Sequence, residues 1–114
     1  MHELGIVFYI IRDVKKVAEE NHCKKVESVT IEVGEVSGVL ADYLEDCWNW
    51  ACNREELMKG CKLVTEVYEA VTFCEDCKGE YRTVAHGKIC PRCGSAHTYL
   101  LRGTDVTIKQ IEVT

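Results

Sequence analysis

Two Cys-x-x-Cys pairs, Cys74 with Cys77 and Cys90 with Cys93, stand twelve residues apart and constrain this chain more than any other feature of it. Thiolates at i and i+3 on a tight knuckle face one ion, and two such knuckles complete a tetrahedron. Zinc suits that arrangement, because it imposes no d-electron geometry and takes four sulfurs at about 2.3 Å. Gly79 and Gly94 follow the knuckles, and both are placed to supply the positive φ and close backbone approach that such turns need. Iron held by four thiolates shares the ligand pattern. A dithiol redox motif does not fit, since neither pair opens a helix after a buried strand. Four protein ligands leave no open position for water, so the expected role is structural and not hydrolytic.

The other four cysteines, Cys23, Cys47, Cys52 and Cys61, follow no ligand spacing and read as small, partly buried apolar residues. From Cys74 to Gly103 the hydrophobic periodicity fades, four glycines appear, and the only proline, Pro91, is found there. That stretch reads as a zinc-ribbon module with too few apolar residues for a core of its own. The flanks differ. Leu4, Val7, Phe8, Ile11, Val14 and Ala18 recur at helical spacing, which predicts an amphipathic helix over residues 4–20. Val29, Ile31 and Val33 alternate with polar residues as in a half-buried strand, and Gly34 ends it. Leu40, Leu44, Cys47, Trp48 and Ala51 mark a second helix, Leu63 to Ala70 a second strand, and Val106 to Val113 a third. Alternation slips between Ile108 and Ile111, as at a bulge.

A lone terminal strand is stable only when paired with an earlier one. The expected fold is therefore α+β: two helices packed on a small three-stranded mixed sheet, with the zinc-ribbon module inserted between its last two strands. The corresponding division is an α+β domain of residues 1–72 and 105–114, and a zinc-ribbon domain of residues 73–104.

Charge narrows the function classes. Asp and Glu number 19 against 14 Lys and Arg, a formal charge of −5, which argues against a nucleic-acid binder. Between Cys74 and Thr104 five cations face three carboxylates, so a tetrathiolate zinc brings the module near neutrality. That leaves −7 for the remainder of the chain. No apolar run approaches the roughly 20 residues that cross a bilayer. Eight cysteines with no secretory leader point to a reducing, cytoplasmic setting.

The opening Met1-His2-Glu3 has specific chemistry. If the initiator Met is retained beside the bulky His2, the Met1 amine, the His2 amide nitrogen and the His2 imidazole close fused chelate rings on one ion. Nitrogen donors in a square plane favour Ni(II) or Cu(II) over zinc. Glu3 adds an amide or a carboxylate. The plainer alternative makes Glu3 an acidic first-turn residue favoured by the helix dipole, with His2 solvated.

Met1-His2-Glu3-Leu4 opening a helix, then Val29-Thr30-Ile31-Glu32-Val33-Gly34, then Cys74-x-x-Cys77 and Cys90-Pro91-x-Cys93-Gly94, resembles the HypA/HybF family of hydrogenase nickel-insertion proteins. The resemblance runs the full length, through the Gly60 to Leu63 approach and the terminal Val106-x-Ile108-x-x-Ile111-x-Val113. It implies a nickel metallochaperone, not an enzyme, that works with a GTPase to load the large subunit of [NiFe] hydrogenase. Some members serve urease, which adds urease maturation proteins as partners, and a homodimer stays open. In family terms His2 is the essential nickel ligand, Glu3 contributes at the same site, and Cys74, Cys77, Cys90 and Cys93 hold zinc; the chelate argument adds Met1 to the nickel site. Some relatives carry histidine directly after a Cys-x-x-Cys, whereas Lys78 and Gly94 stand here. His86 and His97 are alternative extra nickel ligands or ordinary surface residues.

Trp48 continues the apolar stripe of the second helix and is expected in the core, whereas Trp50, two residues on, points elsewhere. The competing reading is a zinc-ribbon protein-interaction adaptor without nickel transfer. Against a role in transcription or translation, no basic-aromatic stripe accompanies the ribbon.

Overall fold

The computed structural model of the protein describes residues 2–114. In chain order the elements are α1 (Glu3–Glu20), β1 (Val26–Gly34), α2 (Ala41–Cys52), β2 (Lys62–Tyr68), β3 (Val71–Cys74), β4 (Glu80–Arg82), α3 (Thr83–His86), β5 (Thr98–Arg102) and β6 (Val106–Val113). Strand order is β2-β1-β6 in one sheet and β4-β3-β5 in another. The chain forms two compact units. One takes the chain up to Glu32, Val39–Glu66 and Thr107–Thr114; the other takes Val33–Gly38 and Val67–Val106. The second unit is thus larger than the 73–104 stretch that cysteine spacing marks out. The reason is local: β3 pairs with β4 and β5 from Val71 onward, and Glu35 accepts hydrogen bonds from the Ala70 amide (3.1 Å) and the Arg82 guanidinium (3.3 Å).

In the first unit α1 buries Glu3, Val7, Ile10, Ile11, Val14 and Ala18, a single stripe at helical spacing. Leu4 and Phe8, one position round from that stripe, are exposed instead of buried. The helix stops in a left-handed cap. His22 takes φ 56°, the Cys23 amide donates to the Ala18 carbonyl (2.9 Å) and the His22 amide to that of Glu19 (3.2 Å). These are the paired bonds that satisfy a helix's last carbonyls, with histidine where glycine is usual. α2 buries Leu44, Cys47, Trp48, Ala51 and Cys52. Trp48 is wholly buried, and its indole Nε1 donates to the Cys61 carbonyl at 3.1 Å, so the ring's polar edge is satisfied. Lys15 of α1 pairs with Glu55 beyond α2 at 2.8 Å.

β1 is the central strand, and its directions follow from the bonds at its ends. Glu35 donates to the Tyr68 carbonyl, so β1 and β2 finish side by side and run parallel, as a crossover through α2 requires. Lys25 and Thr114 exchange backbone bonds while Gly34 donates to Asp105, so β6 runs antiparallel to β1. The sheet is mixed. β1 is buried along nearly its whole length, Ser28 and Thr30 included, where alternation alone predicts a half-exposed strand. The predicted strand over 63–70 closes at Tyr68; Ala70 is a buried corner, and β3 begins at Val71.

The second unit carries the antiparallel sheet β4-β3-β5, inserted in the chain between β2 and β6. β3 shifts register against β5 at Val71/Thr72. Cys74, Tyr81 and Cys90 form a small buried cluster, and the Tyr81 hydroxyl donates to the Gly87 carbonyl at 2.8 Å. Gly34 is needed for approach: a Cβ there would fall 2.0 Å from the Gly103 carbonyl oxygen.

Candidate metal centres

The fold draws the two knuckles together. β3 ends at Cys74, and the chain turns back through Cys77 into β4, with the Cys74 amide donating to the Gly79 carbonyl at 2.8 Å. The second knuckle closes the same way, with the Cys90 amide donating to the Ser95 carbonyl at 3.0 Å; the Gly94 amide, at φ 73°, also donates back to the Cys90 carbonyl at 2.9 Å. In the first knuckle the left-handed residue is Lys78 (φ 59°), directly after Cys77 as Gly94 is after Cys93; Gly79 supplies close approach only.

The four sulfurs of Cys74, Cys77, Cys90 and Cys93 lie within 4.8 Å of one another. Cys74 and Cys93 are 3.6 Å apart, as are Cys77 and Cys90. A tetrahedron of sulfurs with bonds of about 2.3 Å has edges near ~3.8 Å, so the donor set fits zinc. Cys74 and Cys90 are buried, Cys77 and Cys93 exposed. Crowding splits their protonation. Burial opposes the Cys90 thiolate, but the amides of Cys93 and Arg92 and the neighbouring sulfurs outweigh it and bring that thiol down to about 6. The Ser95 amide favours the Cys93 thiolate, yet the sulfurs of Cys74, Cys90 and Cys77 push this thiol up to about 12. A bound zinc must displace the protons that remain.

A polar bridge spans the knuckles. Asp76, between Cys74 and Cys77, accepts a hydrogen bond from the Ser95 hydroxyl and lies 3.2 Å from His97 Nδ1. These partners, Ser95 first, hold its carboxyl below the usual range. His86 ends α3 and meets the edge of the Tyr81 ring, centroids 5.9 Å apart.

At the other candidate site Met1 lies outside the described residues. His2 is exposed at the start of α1 and lines a shallow groove of roughly 520 Å³ with Glu3, Leu4, Gly5, Phe8 and Tyr43. Glu3 is buried, and its Oε2 accepts the Leu40 amide at 2.9 Å. That bond, above all, keeps the carboxyl below its usual value. Leu40 is the N-cap of α2 and offers no capping side chain, so Glu3 joins the starts of the two helices. Periodicity did not point to this contact, because it links residues 37 positions apart. Trp50, exposed, meets Phe8 edge-on (6.3 Å) and is covered by Arg54 (4.8 Å).

Residues 1–113 match the family described as hydrogenase/urease nickel incorporation, metallochaperone, hypA. The chain belongs to the HypA family. The hydrogenase maturation factor HypA of Geotalea uraniireducens is 33% identical over 114 residues, covering 99% of each chain. The hydrogenase maturation factor HybF of Proteus vulgaris is 32% identical over 113 residues, also covering 99% of each. In fold the chain is similar to a solution structure of the nickel metallochaperone HypA from Helicobacter pylori, with a TM-score of 0.75 at 21% identity, covering 99% of this chain and 97% of that one. The HypA family is one of metallochaperones and maturation factors for nickel enzymes, not of enzymes. Here its fold carries a four-cysteine site suited to structural zinc. Among the described residues no helix is long and apolar enough to cross a membrane.

Proposed function

We propose that this chain takes up Ni(II) at its amino terminus and, with a GTPase partner, hands it to the large subunit of [NiFe] hydrogenase during maturation. The observation that carries the reading is His2, exposed at the head of α1 in a chain of this family. The Met1 amine, the His2 amide and the His2 imidazole supply nitrogen donors in the fused-ring arrangement that square-planar nickel prefers. Glu3 serves the same place. Its carboxylate holds the start of α1 against α2, which leaves its amide as the donor it offers. Zinc on Cys74, Cys77, Cys90 and Cys93 keeps the two knuckles together and takes no part in transfer. In this scheme the nickel site belongs to the α+β domain and the zinc site to the ribbon, and a count of eight cysteines, read as reduced, supports a cytoplasmic setting.

Hydrogenase is favoured over urease as recipient because relatives at 32–33% identity are named hydrogenase maturation factors. The test is a host whose own chaperone of this family is deleted. Hydrogenase activity should return with the wild-type chain and not with His2→Ala at equal protein level. Full rescue by His2→Ala would refute delivery through the amino terminus.

A further inference from the structure

Arg92, in the middle of the second knuckle, reaches across to the first. Its Nη2 donates to the Glu80 carbonyl at 3.1 Å. The guanidinium occupies the space over Gly79, where a Cβ would fall 1.8 Å from Nη2 and 2.5 Å from Cζ. Gly79 is not among the residues with positive φ, so backbone conformation does not demand glycine there. The arginine does. The same cation stands beside the sulfurs of Cys90 and Cys77. Those two sulfurs are 3.6 Å apart.

Four thiolates on one divalent zinc leave a net charge of −2, concentrated on sulfur lone pairs. Attack on those lone pairs by protons or electrophiles is how such a metal is lost. A guanidinium beside two sulfurs lowers their basicity, and its bond to Glu80 fixes the spacing between knuckles. Lysine carries the charge but lacks the planar fork that does both at once.

We propose that Arg92 is a positioning residue for zinc: its guanidinium straps the first knuckle to the second, shields Cys77 and Cys90, and so slows release of the metal. The proposal rests on the four-cysteine zinc reading and adds a determinant of how long zinc stays.

The test uses the full chain loaded with zinc, with stoichiometry checked by metal analysis, and excess chelator to follow release. Arg92→Ala should release zinc about three- to tenfold faster, as expected for losing a charge-assisted bond at a partly solvated site. Arg92→Lys should fall between. Gly79→Ala, which displaces the guanidinium, should speed release in the wild-type background and change little on top of Arg92→Ala. With Co(II) in place of zinc, Arg92→Ala should move the sulfur-to-cobalt charge-transfer band to lower energy, and Arg92→Lys should recover part of the shift. A purely structural strap would leave that band unmoved. Wild-type chain that takes up no zinc would remove the metal reading itself. Wild-type chain that holds zinc while Arg92→Ala releases it at the same rate would overturn the strap alone. So would an equal effect of Gly79→Ala in both backgrounds.

Discussion

Single side chains at the knuckles and at the amino terminus carry tasks their residue types do not announce. Lys78 sits at φ 59°, a conformation that costs a residue with a Cβ about 1–2 kcal/mol. Lys78→Gly should therefore stabilise the zinc-loaded second unit by about 1 kcal/mol, read as a rise in its denaturation midpoint. A fall would mean that the lysine side chain holds something the backbone argument omits. Glu3 behaves as a buried carboxylate with a backbone partner. Its pKa is lowered from 4.5, so its stabilising effect is full above that value and is lost as acid carries the pH down through the depressed one. The stability gap between wild type and Glu3→Gln should then close on going from pH 7 towards pH 3. A gap independent of pH would remove the charge from the explanation. The four-cysteine cluster was legible from spacing alone, since i, i+3 knuckles have few other uses. The Lys78 strain was not, because nothing in a Cys-x-x-Cys-Lys string says which of the next two residues turns left-handed.

At the level of elements, strong periodicity was informative and short elements were not. α1 and α2 appear within a residue or two of where their apolar stripes place them, because each stripe buries one face. The three-residue β4 and four-residue α3 left no period to read. β1 misled in a different way. Its alternation marked a half-exposed strand, but β1, between β2 and β6, is buried along nearly its whole length, which local pattern does not encode. Gly34 reads as a strand breaker in sequence, whereas in the fold it makes room for the Gly103 carbonyl. The second unit is where metal should matter most, since two members of its buried cluster of Cys74, Tyr81 and Cys90 belong to the four-cysteine group. Zinc removal, or Cys74→Ser, should strip amide-exchange protection from β3, β4 and β5 while α1 and α2 keep theirs. Protection unchanged in β3–β5 would show that the strands stand without the ion. Trp48→Ala is the converse. It empties a fully buried site in the first unit and should cost about 3–5 kcal/mol, seen in thermal denaturation with zinc bound. A loss below 1 kcal/mol would contradict the assignment of Trp48 to the core.

For the whole molecule, the account gives two metals two different chemistries: zinc enclosed by four sulfurs and nickel held by nitrogen at an exposed terminus. Family membership was legible because the Met-His-Glu start and the paired knuckles occur in one chain at this separation. Acid should separate the metals, since nickel uptake must displace protons from an amine, an imidazole and an amide, and zinc is held inside a folded knuckle pair. Nickel should leave first as pH falls, and metal analysis showing zinc lost ahead of nickel would reverse the assignment. The most direct test of the central claim is nickel titration of the untagged, zinc-loaded chain against His2→Ala. The substitution lies at an exposed position, so stability should change by less than about 0.5 kcal/mol. Nickel affinity should fall at least about a hundredfold, since losing a ligand that anchors the chelate is worth several kcal/mol and each 1.4 kcal/mol is tenfold. Equal nickel affinity in the two proteins would contradict the account and leave a zinc-held adaptor in its place.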